Sequence, residues 1–315
     1  MTEHFIDRQL PERDEVFLDH VGFFVPDLEI AGERLRRLGF EVSPINLQQN
    51  ADAEGVLRPS GTSNRLAVMR LGFLEVLAAT HDTPLAAQLR SALDRYAGLH
   101  VIAFSHADIP AVRARLVADG FAMQEVVRLR RHRDMPEGRR EVAWSVLRPQ
   151  PGVMAEGRVQ YAYCHTPDLT WTPGAPTPAN GAEALSDLLI CVENAREAAT
   201  RLGRYVDRAA VHEDGRSIVP LDRSRLVLAE PGIAARILPG FVPGALPFIA
   251  GQGLRADLAK ANAALARGGV TPLYADDELI CVGPADALGG YLLFHRPELA
   301  DPWNALAARG ASLGA

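Results

Sequence analysis

Three ionisable side chains stand inside apolar runs of this chain, where burial alone would be costly. His20 lies in LDHVGFF, His100 in LHVIAFS and Glu75 in GFLEVLA. A carboxylate in an apolar strand faces solvent or has a partner. The two-residue period of a strand puts Glu75 on one face with Phe73 and Leu77. Each histidine reads either as a satisfied core residue or as a metal ligand, and its recurrence at similar places in two similar segments brings the second level with the first. The stretch Gly61-Thr62-Ser63-Asn64-Arg65 precedes another apolar run. It reads as a turn, or as a place from which Asn64 and Arg65 hold an anionic or carbonyl group of a small-molecule substrate. His81 directly follows a strand, and His4, His132 and His212 have no repeated counterpart, so these four read as solvated.

The elements that would position these residues form a repeat. LDHVGFFVPDLEIAGERLRRLGFEVSP, from Leu18, is an apolar run, an Asp, a helical pattern and Gly-Phe. LHVIAFSHADIPAVRARLVADGFAMQE, from Leu99, repeats the order, and LPFIAGQGLRADLAKANAALARGGVTPL, from Leu246, does so again. Asp27 to Gly39, Asp108 to Gly120 and Asp257 to Gly269 have one separation. A weaker copy starts at Leu185, with Asn194 at the helix start and a shorter distance to Gly203. Asp or Asn caps the helix by accepting a free backbone N–H. Leu28, Ala31, Leu35 and Leu38 recur at helical spacing, so one face packs on a sheet. The glycine supplies the left-handed residue that ends the helix. Runs such as RLAVMRL, GFLEVLAA, EVAWSVLRP, GRVQYAYCH, ELICVGP and GGYLLFHRP follow as strands. The repeat predicts an α+β fold of four βαβββ modules, arranged as two pairs. The proline-rich stretch His165–Leu185 separates them, giving domains 1–172 and 173–315.

Composition bounds the rest. The chain has 315 residues, 48% of them hydrophobic and 23% charged, and a net charge of −6 with both signs scattered along it. That is a globular profile with no footprint for nucleic acid. The one basic cluster, Arg128–Arg140, carries Asp134 and Glu137 and reads as a solvated, mobile hairpin between strands. Cys164, Cys191 and Cys281 are odd in number and far apart, so a reducing compartment is expected. The charged N-terminus has no apolar core of a signal peptide. The uncharged run Ile237–Leu254 holds too many prolines and glycines for a membrane helix and reads as a linker entering a strand. A cytoplasmic protein without membrane contact follows.

Tandem βαβββ modules opening on an apolar strand with Asp-His-Val resemble the vicinal oxygen chelate superfamily. LDHVGFFVPDLE, GTSNRLAVMRLGFLEVLA and YAYCHTPDLTW are similar to its glyoxalase-like domains over residues 17–171. In the second half only the module order is similar. The resemblance implies that the four βαβββ modules are paired into two curled mixed-sheet domains enclosing a cleft, with a divalent metal (Fe, Zn, Mn, Ni or Co) in the cleft of the first pair. His20 and His100 match its first-strand ligands and Glu75 its last-strand ligand. Gln160 takes the matching place in the second module, as a weak ligand or a donor to substrate, and a shift along that strand would offer His165. Two imidazoles and a carboxylate leave open positions for a bidentate oxygen substrate. Glu75 and Gln160 are the catalytic candidates, and Gln160 in place of a carboxylate leaves open whether a general base stands there. The second domain has no such set, and His295 has no evident partner, so it is expected to be a metal-free copy that packs on the first, closes its cleft or forms a dimer-like interface; a homodimer is a further expectation.

Three functions remain open: a metal-dependent lyase, isomerase or dioxygenase acting on a small oxygen-rich substrate; a metal-free small-molecule-binding or sequestering protein of bleomycin-resistance type; and a scaffold with a vestigial cleft.

Overall fold

The computed structural model describes residues 5–51, 57–135, 138–171 and 177–313. Four segments fold as β-α-β-β-β modules. The first is β1 (Phe17–Phe24), α1 (Leu28–Arg37), β2 (Asn46–Ala51), β3 (Leu57–Val68) and β4 (Phe73–Ala79). Helix α2 (Pro84–Arg95) leads to the second: β5 (Gly98–Ser105), α3 (Ile109–Ala118), β6 (Val127–Met135), β7 (Gly138–Leu147) and β8 (Arg158–Cys164). After α4 (Pro167–Thr170) comes the third: β9 (Ala182–Cys191), α5 (Ala195–Val206), β10 (Val211–Glu213), β11 (Arg216–Pro220) and β12 (Arg225–Ala229). Helix α6 (Pro231–Ile237) precedes the fourth: β13 (Phe248–Ala256), α7 (Leu258–Arg267), β14 (Tyr274–Ala275), β15 (Leu279–Val282) and β16 (Tyr291–His295). Helix α8 (Pro302–Leu313) follows. Residues 172–176, within the expected interdomain stretch, lie outside the described residues.

The local signals act as expected in three modules. Asp27, Asp108 and Asp257 cap α1, α3 and α7 by accepting N–H groups of the first turn. Gly39, Gly120 and Gly269 follow those helices at φ of +85°, +86° and +63°. The third module departs from the pattern. Asn194 does cap α5, but the helix runs past Gly203 to Val206, and Asp207 takes the left-handed conformation at φ 57°. Gly203 is required for another reason: a Cβ there would lie 2.6 Å from the carbonyl oxygen of Arg208.

Within every module the first strand pairs parallel with the last, and the remaining strands follow antiparallel. Modules then join through their first strands, β1 with β5 and β9 with β13, both antiparallel. The described strands thus form one 16-stranded sheet, whose two eight-stranded halves (the first and second sheet) are joined at the Leu99–Ile249 pair. Helices α1, α3, α5 and α7 bury Leu35, Leu116, Leu202 and Leu265 in one core shared by both sheets. Facing helices lock at their ends. Arg37 donates to the carbonyls of Gly268 and Gly269 just past α7, and Arg115 to those of Arg204 and Tyr205 in α5. Cationic side chains there meet carbonyls left free by the helix geometry.

The opposite faces of the two sheets are concave and differ in content. In the second sheet the face is packed with Leu189, Val227 and Leu293, and is closed by Ile237 of α6 and by Trp303 and Leu306 of α8. In the first sheet α2 covers only one end, where Leu89 meets Phe24, Leu77 and Val101. The basic cluster forms the expected hairpin, a two-stranded ribbon with β6 and β7 in register from Val127–Val146 to Met135–Gly138. Its residues 136–137 lie outside the described ones. Among the described residues no helix is long and apolar enough to cross a membrane, and the run Ile237–Leu254 spans the end of α6, a loop and most of β13.

Trp303 is fully buried. Trp303→Ala should lower the unfolding free energy by about 3–5 kcal/mol in chemical denaturation. Ile30→Ala, at a position 58% exposed, should stay within about 0.5 kcal/mol. Equal effects would contradict the packed second face.

Candidate functional site

Strand register assembles the floor of the first concave face. β4 places Phe73 opposite His20 and Glu75 opposite Gly22. β5 places Ala103 and Val101 opposite the same two residues, and β8 adds Gln160 beside Ala103 and Arg158 beside Val101. One row therefore reads Phe73, His20, Ala103, Gln160, and the next Glu75, Gly22, Val101, Arg158. The sheet curls tightly around these rows. β4 and β7 stand four strand spacings apart, about 19 Å on a flat sheet. Yet the Phe73 ring is 6.2 Å from that of Trp144 on β7, and Trp171 lies 5.9 Å from both.

Charge is concentrated on this face. Glu75 is buried and accepts a hydrogen bond from Asn64 Nδ2, with Gln48 Nε2 at 3.5 Å. Arg148 Nε donates to Gln160 Oε1 at 2.9 Å, and the Arg158 guanidinium stacks 5.0 Å over Phe24. Burial lowers the pKa of both arginines. Arg158 is pushed down to about 10, with the charge of Arg148 adding to the effect and Glu75 opposing it. Two guanidinium groups thus face one carboxylate. Neither arginine stood out in the sequence. The strand period held a signal for both: Arg158 is two residues from Gln160, and Arg148 is four from Trp144.

His20 has a neighbour that alternation alone would place on the other side of the strand. A bulge between Leu18 and His20 brings the fully buried Asp19 round, and its Oδ2 lies 2.7 Å from His20 Nδ1. Asp19 Oδ1 takes the amide of Gln9 at 3.1 Å. A carboxylate accepts, so Nδ1 carries the hydrogen in the contact with Asp19. The ring stacks on Phe73 at 4.3 Å, and Nε2 makes no hydrogen bond to a described residue.

The expected metal set of His20, Glu75 and His100 does not assemble. His20 lies seven residues before its helix cap (27 − 20) and His100 eight before its own (108 − 100). The true counterpart of His20 is Val101. His100 is the unpaired residue of a bulge where Gly22 faces Val101 and Phe23 faces Leu99. Its ring is clamped between Tyr96 at 3.9 Å and Phe24 at 4.8 Å, and Nε2 donates to the Tyr96 carbonyl at 2.8 Å. Burial lowers its pKa to about 4. Among the described residues no group of three or more His, Cys, Asp or Glu is arranged to hold a metal ion. These residues do not fit a divalent metal held as the resemblance implied.

Of the other expected residues, Asn64 and Gln160 are on the concave face. Arg65 is not: its guanidinium pairs with Glu29 and packs beside Gly32 of α1. His165 is exposed and bonded to Ser145 Oγ at 2.8 Å, on the face opposite Gln160 by the strand period. His295 does have a partner, Ser186 Oγ at 2.7 Å.

The sequence profile of the glyoxalase-like domain matches residues 18–206. No curated protein matches the chain. Among solved structures the chain is similar to a hypothetical protein from Staphylococcus aureus, at 11% identity and a TM-score of 0.60, over 89% of this chain and 99% of that one. It is also similar to a mutant 4-hydroxymandelate synthase from Streptomyces coelicolor, at 14% identity and 0.56, over 95% and 98%. A xylose isomerase-like TIM barrel/4-hydroxyphenylpyruvate dioxygenase fusion protein is similar at 12% identity and 0.58, over 95% of this chain and 52% of that one. Identities this low establish the common fold.

The clamp on His100 has a pH signature. Its folded-state pKa lies below the ordinary value of 6.5, so the unfolded chain binds the proton more tightly. Stability is full above about pH 6.5 and should fall by up to about 3 kcal/mol as the pH drops towards 4. Denaturation curves at several pH values should show a shallower loss in His100→Phe. Identical slopes would remove the clamp.

Proposed function

The chain belongs to the glyoxalase-like domain family, and from that premise we propose that the concave face of its first domain receives a small, oxygen-rich anion. One observation carries the reading: Arg148 and Arg158, drawn out of water, share a single carboxylate on that face. Holding like charges together in a half-buried place costs stability. The second sheet supports the same view, because there the equivalent face is filled with apolar side chains and covered by two helices. An anion would meet the two guanidinium groups, with Gln160 and Asn64 beside them and Trp144 and Phe73 as apolar walls. Glu75 keeps the face from excess positive charge before the ligand arrives.

The reading favoured is the metal-free binding one. A metal-dependent lyase, isomerase or dioxygenase would need His100 to leave its stack, and no step is assigned to a metal. The Asp19–His20 pair favours a second reading, in which the bound molecule is also converted. His20 Nε2 would accept a proton from an acidic C–H or O–H of the ligand, and Asp19 would stabilise the imidazolium.

Tryptophan fluorescence with pyruvate as probe tests this. Wild type should bind pyruvate and not its methyl ester, and Arg158→Met should weaken binding at least tenfold, about 1.4 kcal/mol. Equal binding of ester and acid, or no effect of Arg158→Met, would sink the anion site. Elemental analysis of protein purified without added metal adds a second check. One divalent ion per chain, lost in both His20→Ala and His100→Ala, would restore the metal-enzyme reading.

A further inference from the structure

The turn between β11 and β12, in the second domain, docks against the start of β1. Asp222 N–H donates to Val16 O at 3.1 Å, Val16 N–H returns a bond to Asp222 Oδ2 at 2.7 Å, and Leu18 N–H reaches Arg223 O at 3.4 Å. Arg223 is thereby paired with Phe17, two residues before Asp19. Its side chain is 2% exposed, with the guanidinium 4.5 Å over the Phe17 ring. Nη1 donates to the carbonyls of Arg8 and Gln9, but Nε and Nη2 have no hydrogen-bond partner among the described residues.

A buried cation with two unmade hydrogen bonds needs an anion in its field. The neighbouring cations already have theirs. Arg8 is paired with Glu12 and Glu15, and Arg70 with Asp7 and Glu183. Asp19, which is fully buried, is the carboxylate left over. Gln9 links the two: its carbonyl takes Arg223 Nη1 and its amide holds Asp19 Oδ1. Burial lowers the Arg223 pKa to about 10, and among the groups around it Asp19 opposes that most strongly.

We infer that Arg223 is a positioning residue through which the second domain completes the first domain's site: its charge holds Asp19 in place, and Asp19 in turn fixes the His20 ring with Nδ1–H inward and Nε2 free. This rests on the reading that His20 belongs to the site. It gives the second sheet a part in that site although its own concave face is closed. The chain of contacts runs from the β11–β12 turn through Gln9 and Asp19 to His20, so the N-terminal segment is its middle link.

The test is the imidazole N–H signal of His20 in proton NMR, assigned by its loss in His20→Gln. Wild type and Arg223→Lys should both show it protected from exchange, and Arg223→Met should lose that protection at least tenfold. If Arg223→Met does not fold, Arg223→Gln is read instead. Undiminished protection in the neutral variant overturns the inference. So does equal loss in Arg223→Lys, which would make the effect one of packing rather than charge. Pyruvate binding, which depends on Arg148 and Arg158, is measured on the same variants. Its absence from wild type would sink the anion reading, while the His20 signal would still judge Arg223.

Discussion

The antiparallel pairing of β1 with β5 is the contact on which the first concave face depends. Each of these strands is flanked by the last strand of its own module, so the pair sets four strands side by side. Residues far apart in the chain, Glu75 and Arg158 among them, become members of one row. The two bulges in the pair matter as much as the pairing. One turns Asp19 towards His20, and the other displaces His100 from the ladder into the stack between Tyr96 and Phe24. Because side chains alternate with a period of two, a single inserted residue changes which face a group occupies.

The same topology, built twice, comes to two ends. Both sheets are curled and both present a concave surface, which must be filled or wetted. In the second sheet α6 and α8 bring Ile237, Trp303 and Leu306 onto Leu189 and Val227, and the face becomes core. In the first, α2 fills only the end near Phe24, leaving His20, Glu75, Gln160 and two arginines on the remainder. Their polar atoms are largely satisfied by one another, through Asn64 to Glu75 and Arg148 to Gln160. Such a network is stable as it stands and can be rearranged around a ligand that brings its own negative charge.

The two halves are not independent bodies joined by a linker. Helices α1, α3, α5 and α7 share one core, and arginines at helix ends reach carbonyls of the facing helix. Glu156, fully buried, is held by Arg201 of α5 through two hydrogen bonds. The β11–β12 turn and residues 8–16 form a further junction directly behind His20. Rigidity at the first site therefore draws on both sheets.

Much of the architecture was legible in the residues. Local physics decides whether Asp27, Asp108, Asn194 and Asp257 cap helices, and whether Gly39, Gly120 and Gly269 end them, and these acts need no distant partner. The module order and the face occupied by Glu75 follow from periodicity in the same way. The end of α5 did not, because Gly203 answers to the Arg208 carbonyl and not to a helix cap. For the site, sequence marked Glu75 and His20 as ionisable residues in apolar strands, Asn64 as a polar residue beside one, and Gln160 through the family resemblance. It misjudged His100, whose likeness to His20 is off by one position, and Arg65, whose strand neighbour Asn64 took the concave face while it turned to Glu29. Arg148, Arg158, Asp19 and Arg223 acquire meaning only from strand order, bulges and the contact of the β11–β12 turn with the start of β1. Those are long-range choices made by the packing of whole sheets, and no short window of sequence contains them.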